Sequence, residues 1–143
     1  MLISTRGRYA LRIMIDLAEH PSEDFIPLKV IAQRQEISEK YLEGIIKLLV
    51  KARFVSGLRG KGGGYKLTRT PDQYTVFSIL QLTEDSLAPV ACLEQDAPVC
   101  PRVSICRTLP VWRGLDRLIQ DYLGHITLVD LIRNDVRGND YVI

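Results

Sequence analysis

Three stretches of helical period, one glycine-rich pair of extended runs and two more helical stretches predict a mainly α fold with a small β-hairpin. Three observations carry that expectation. Apolar residues recur at threes and fours over most of the first third of the chain. The period turns extended around the glycines at positions 60, 62, 63 and 64. At 143 residues and 46% apolar composition, the chain is long enough for one domain with a real core, and it holds no apolar run that would span a membrane.

The first element is "STRGRYALRIMIDLAEH", with Leu11, Met14, Ile15 and Ala18 at helical spacing. Ser4 or Thr5 suits its N-cap, and Pro21 follows its end. "IPLKVIAQRQ" is a second, short helix with Pro27 in its first turn. "EISEKYLEGIIKLLVKARF" is a third, in which Leu42, Ile45, Ile46 and Leu49 form one apolar stripe and Ser38 sits at the N-cap position. "FVSGLRGKGGGYKLTR" then supplies two strands around a flexible, basic tip. Three helices with a tight turn between the last two, followed by a hairpin, describe a winged helix-turn-helix.

Beyond Pro71, "YTVFSILQLTED" predicts a fourth helix, and Pro89, Pro98 and Pro101 keep the next segment irregular. "SICRTLPVWRGLDRLIQDYL" predicts a long final helix, with a kink near Pro110. Its stripe of Ile105, Leu109, Trp112, Leu115, Ile119 and Tyr122 is too wide for a winged domain alone to cover, so a homodimer built on this helix is expected. "TLVDLI" adds a turn, with Thr127 and Asp130 spaced as a capping box, and the polar tail from Asn134 is expected to fray. The organisation is therefore residues 1–70 as a winged helix-turn-helix region, and residues 71–143 as a cysteine loop and dimerisation helix of the same domain.

Charge is divided along the same line. Residues 1–70 carry 13 Lys and Arg against 7 Asp and Glu, a net of +6. Residues 71–143 carry 6 against 10, a net of −4. A basic half is the footprint of a polyanion partner, here double-stranded DNA. The third helix has the layout of a recognition helix, whose N-terminal part meets base edges in the major groove. Ser38, Lys40 and Tyr41 suit phosphate or base contacts, and Glu43 suits a cytosine amino group. Gly44 in its middle is either a point of close approach or a tolerated surface glycine. Arg59 and Lys61 put charge on a glycine-rich wing that fits a narrow minor groove. A nucleotide-phosphate loop fits poorly, because no helix follows these glycines and the Lys-Ser/Thr ending is missing.

All three cysteines fall within "CLEQDAPVCPRVSIC": Cys92, Cys100 and Cys106, a C-x7-C-x5-C pattern. No secretory signal pattern opens the chain, so the expected location is cytoplasmic, where clustered cysteines bind metal or do redox chemistry. Gaps this wide suit a larger inorganic core better than one zinc ion, and thiolates are the usual iron–sulfur ligands. Zinc with one further ligand, a thiol-responsive or metabolite-responsive site without metal, and three plain buried side chains remain as alternatives. An enzyme is disfavoured, since a Cys–His pair would need His20 or His125, and no motif places either.

"STRGRYALRIMIDLA", "IAQRQEISEKYLEGIIKLL" and "GLRGKGGGYKLTR", in this order, resemble the Rrf2 family of bacterial transcription regulators, over nearly the whole chain to about residue 132. The three cysteines stand where its iron–sulfur members carry cluster ligands. The resemblance implies a DNA-binding regulator and a homodimer with crossed C-terminal helices, and the expected action is that of a repressor. It also implies a 2Fe-2S or 4Fe-4S cluster as cofactor. It puts Arg59 in the minor groove and Ser38, Lys40, Tyr41 and Glu43 on the groove-facing side of the recognition helix. Many relatives read "YLEQL" where this chain reads "YLEGI". Some relatives complete the cluster with a histidine where this chain has Leu109, and others with a carboxylate of the partner's first helix where it has Arg8. The fourth ligand is thus open between Glu94, Asp96, solvent and a small thiol.

Overall fold

The computed structural model describes residues 1–134. Six α-helices and one hairpin follow in the order α1 (Thr5–Glu19), α2 (Leu28–Gln35), α3 (Glu39–Lys51), β1 (Val55–Leu58), β2 (Gly64–Leu67), α4 (Val76–Thr83), α5 (Leu109–Gly124) and α6 (Leu128–Ile132). The mainly α architecture with one small hairpin is the one the periodicity predicts. Among the described residues no helix is long and apolar enough to cross a membrane.

Local chemistry sets the helix boundaries. Ser4 caps α1 by accepting from the Gly7 amide, and Ser38 caps α3 by accepting from the Tyr41 amide. The chain leaves α2 through Glu36 in the left-handed conformation (φ 55°, ψ 44°), which makes the tight turn into α3. Thr75 with Ser78 and Thr127 with Asp130 form capping boxes at the starts of α4 and α6.

The stripes close into one core. Ile13 and Met14 of α1, Ile31 of α2 and Leu42, Ile45, Ile46 and Leu49 of α3 are buried together. Burial of such side chains contributes about 1.5–3 kcal/mol each, so this helical face is the main source of stability. α4 and α6 pack against α1. Val76, Leu80 and Leu87 form a smaller cluster that Leu123 at the end of α5 helps to cover.

The wing is anchored at both ends. β1 and β2 pair antiparallel from Val55 with Leu67 to Leu58 with Gly64. Tyr65 exchanges both backbone hydrogen bonds with Ile26, at 2.9 and 2.8 Å, which sews the hairpin to the segment before α2. Gly64 makes that approach possible: its φ is +150°, and a Cβ there would lie 2.3 Å from the Ile26 carbonyl. Tyr74 is fully buried, and its hydroxyl donates to the Phe54 carbonyl at 2.8 Å. The same oxygen accepts from the Thr68 and Arg69 amides at 3.1 and 3.0 Å, tying the base of the wing to the rest of the fold.

Two expectations for the last long helix need correction. It begins at Leu109, not Ser104, and Pro110 lies in its first turn with no kink. A helix running on from Ser104 would need Pro110 to donate to the Cys106 carbonyl, which it cannot do, and its ring would clash there. In the first turn the missing N–H is harmless. Ile105 therefore falls outside the helix, 63% exposed, and is not part of its stripe. The expected fraying of the tail lies outside the described residues beyond Asn134.

Candidate nucleic-acid interface and cysteine loop

The first turn of α3 presents Ser38, Lys40 and Tyr41 at the surface, and Glu43 and Gly44 follow on the exposed side. The buried stripe of α3 faces the opposite way, so amphipathic patterning alone turns these residues outward. Tyr41, 44% exposed, is braced edge-to-face by Tyr9 of α1, with ring centroids 5.4 Å apart and an interplanar angle of 81°. Arg12 stacks over Tyr9 at 5.1 Å and donates to the Gln35 side-chain oxygen at 3.2 Å and to the Gln35 carbonyl. The outer face of α3 is thus fixed to α1 and α2 through side chains that sequence reasoning did not single out. Glu43 pairs with Lys47 one turn on, at 3.6 Å.

A groove of about 750 Å³ runs beside this face, with Thr5, Arg6, Ser38, Lys40, Tyr41 and Gly44 in its walls. A Cβ on Gly44 would meet nothing within 4 Å, so no contact inside the protein requires glycine there. Arg59 and Lys61 are exposed on the wing tip. Gly60 (φ +89°) and Gly62 (φ +75°) shape that tip, and the Gly63 amide closes it on the Gly60 carbonyl at 2.9 Å.

The cysteines share the loop that runs from Glu84 to Thr108 between α4 and α5. Cys92 is exposed in a short 3-10 turn (Ala91–Leu93), while Cys100 and Cys106 are half-buried, and all three are free thiols. Hydrogen bonding from the Thr108 hydroxyl (Sγ–Oγ1 3.5 Å) and then from the Thr108 amide holds the Cys106 thiol below its usual value. The Leu109 amide, at the start of α5, and the charge of Arg102 act in the same direction. Among the described residues no three His, Cys, Asp or Glu side chains gather around a common point that would hold a metal ion. The donor chemistry still fits a soft metal group: three free thiols on one loop, one of them disposed toward thiolate.

His20 and His125 each sit at a helix C-cap with Nδ1 against a carbonyl oxygen one turn back, Asp16 for the first and Asp121 for the second. The apolar face of α5 also differs from the expected stripe. Its exposed members are Val111, Leu115, Leu118 and Tyr122, at spacings of four, three and four, while Leu109 turns inward. Val111 and Leu118 were missed because the stripe was phased from Ile105.

The model of the family described as Rrf2, iron-dependent transcriptional regulator, matches residues 3–134. The protein rrf2 of Nitratidesulfovibrio vulgaris is 39% identical over 94% of this chain and 89% of its own length. Among solved structures, CymR (YrzC), the global cysteine regulator of B. subtilis, superposes with a TM-score of 0.77 at 34% identity, covering 94% of this chain and 98% of that one. T. potens IscR superposes with a TM-score of 0.73 at 34% identity, over 100% and 93% of the two chains.

Proposed function

The chain belongs to the Rrf2 family of transcription regulators, not to an enzyme family, and from that premise we propose that it binds a pseudo-palindromic operator as a homodimer and that Cys92, Cys100 and Cys106 hold an iron–sulfur cluster whose presence changes operator affinity, most simply as a repressor. Residues 1–70 would carry the DNA contacts, and residues 71–143 the cysteine loop and the dimer helix.

The observation that carries the DNA reading is the exposed, braced first turn of α3. Ser38, Lys40 and Tyr41 are exposed on the outside of the fold, and Tyr41 is held at a fixed angle by Tyr9. Preorganised side chains of this kind read base edges in the major groove, with Glu43 the acceptor on that face. Arg59 and Lys61 on the wing supply the flanking phosphate or minor-groove charge. The exposed face of Val111, Leu115, Leu118 and Tyr122 supports self-association, since a C₂ axis covers the same patch on both copies. Two α3 helices related in this way would read half-sites about 10 bp apart or a multiple of it.

Three free thiols on one proline-interrupted loop support the cluster reading. When bound, an iron–sulfur cluster supplies iron–thiolate bonds that oxidant, nitric oxide or iron scarcity can break. The chain's own part is to present the thiolates and to order the loop between α4 and α5 around them. With only three cysteines the fourth ligand is not a cysteine of this chain. A second reading, a thiol-responsive regulator without metal, is favoured by one observation: Cys106 is accessible and disposed toward thiolate, as a redox-reactive thiol must be.

Anaerobic reconstitution with ferrous iron and sulfide separates these readings. The cluster reading expects sulfur-to-iron charge-transfer bands with matched iron and sulfide content, both lost in Cys92→Ala, Cys100→Ala and Cys106→Ala. A colourless protein carrying zinc, or no metal at all, contradicts it. Sedimentation at micromolar concentration should give twice the 16.2 kDa chain mass, and a monomer alone would remove the dimer.

A further inference from the structure

Glu84 is the residue where α4 ends and the cysteine loop begins. Its Oε1 accepts two hydrogen bonds from Ser4, one from the backbone amide at 3.0 Å and one from the hydroxyl at 2.8 Å. Ser4 is itself the N-cap of α1, accepting from the Gly7 amide at 3.0 Å. A second tie lies alongside: Arg6 donates through Nε to the Thr83 carbonyl at 3.0 Å, and through Nη2 to the same oxygen. Gly7 is what lets this seam close. A Cβ there would stand 2.1 Å from Glu84 Oε1 and 3.1 Å from the Thr83 hydroxyl.

The two sides of the seam open on different parts of the protein. Thr5 and Arg6 line the groove that also holds Ser38, Lys40 and Tyr41. Glu84, on the other side, lines a polar hollow of about 340 Å³ together with Leu93, Glu94 and Gln95, the residues that follow Cys92. One carboxylate thus reaches from the cysteine loop to the cap of the helix that borders the DNA-reading face. A part-buried carboxylate that accepts two hydrogen bonds next to a helix N-terminus is a strong, charge-assisted tie with a sharp geometry. Moving Glu84 by an ångström or two breaks it, because such contacts are made or lost, not stretched.

We propose that Glu84 is a positioning residue that transmits the state of the cysteine loop to the N-terminus of α1, and from there to the reading face of α3. The proposal rests on the reading of the loop as sensory. Rearrangement of the loop around its thiols pulls on Glu84, Ser4 loses or regains its partner, and the cap of α1 shifts the wall of the groove against Tyr41. Both loop states then differ in the free energy of this contact, which is what a coupled equilibrium requires.

The test compares the metal-free protein with the protein reconstituted anaerobically with ferrous iron and sulfide. Operator titrations of both forms are run on wild type, Glu84→Ala and Glu84→Gln. Wild-type affinities should differ by about 5- to 150-fold, the usual range of regulatory coupling. In Glu84→Ala the ratio should collapse towards unity. Glu84→Gln keeps an acceptor oxygen for Ser4 and should restore most of it. In wild type without DNA, hydrogen exchange at the Ser4 and Gly7 amides should change on reconstitution, a readout that stands even if Glu84→Ala fails to fold. A wild-type difference that persists unchanged in Glu84→Ala, or unchanged Ser4 and Gly7 exchange, overturns the relay and leaves the sensory loop intact. No difference between the two wild-type forms removes both.

Discussion

Asp16 is fully buried in α1 and is clasped by Arg34 of α2, with Nη2 2.6 Å from Oδ1 and Nε 3.1 Å from Oδ2. Gln35 adds a third donor to the same carboxylate at 2.9 Å. This clasp ties the last turn of α2 to α1, directly before the left-handed turn at Glu36 that leads into α3.

Among the described residues, Arg34→Ala leaves the buried Asp16 carboxylate with Gln35 as its only side-chain hydrogen-bond donor, His20 Nδ1 standing 3.9 Å away. Breaking one side of such a pair costs several kcal/mol, discounted here because the Arg34 side chain keeps 30% exposure. The expected loss is about 2–3 kcal/mol in denaturant unfolding. A change below experimental error would mean that the clasp is incidental.

Arg59→Ala tests the wing. Operator affinity should fall, and the slope of log affinity against log salt should shrink by about 0.9 per wing, the release expected from one neutralised phosphate. Unchanged affinity and slope would detach the wing tip from DNA.

Gly44→Gln should be tolerated by the fold, since a Cβ there meets nothing within 4 Å. Helix propensity improves by somewhat under about 1 kcal/mol, so the melting temperature should rise slightly. A glutamine on this face can pair with adenine in bidentate fashion, worth about 1–3 kcal/mol of discrimination. Selection from randomised operators should show a sharpened adenine preference at one position per half-site. If no position sharpens, Gly44 does not face bases.

Much of the fold was legible because it is written in local chemistry. Ser38 and Thr127 cap helices through partners three residues away, and the Leu42–Ile45–Ile46–Leu49 stripe declares its buried side by spacing alone. Pro110 misled because a proline inside an apolar pattern can kink a helix or open one, and the pattern continued upstream through Ile105. The ties that position the candidate site were out of reach for another reason. Ser4 and Glu84 lie 80 residues apart, and Tyr9 meets Tyr41 across two helices. Asp16 did leave a trace, as a carboxylate set among Ile13, Met14 and Leu17 on the inward side of α1.

The Thr108 hydroxyl is the largest cause that holds the Cys106 thiol below its usual value. A depressed thiol carries more thiolate at neutral pH, and thiolate is the species that alkylates. In metal-free protein, Thr108→Val should move the alkylation profile of Cys106 to higher pH and slow the reaction at pH 7. Coincident profiles for wild type and variant would assign the reactivity to another neighbour.

The measurement that tests the central claim most directly is a pair of operator titrations, metal-free and reconstituted with ferrous iron and sulfide, on wild type and on Cys106→Ala. The two wild-type forms should differ in affinity by about 5- to 150-fold, whereas Cys106→Ala should bind alike under both treatments while remaining a dimer. Equal affinities for the two wild-type forms would leave the cysteine loop without a regulatory role and contradict the account.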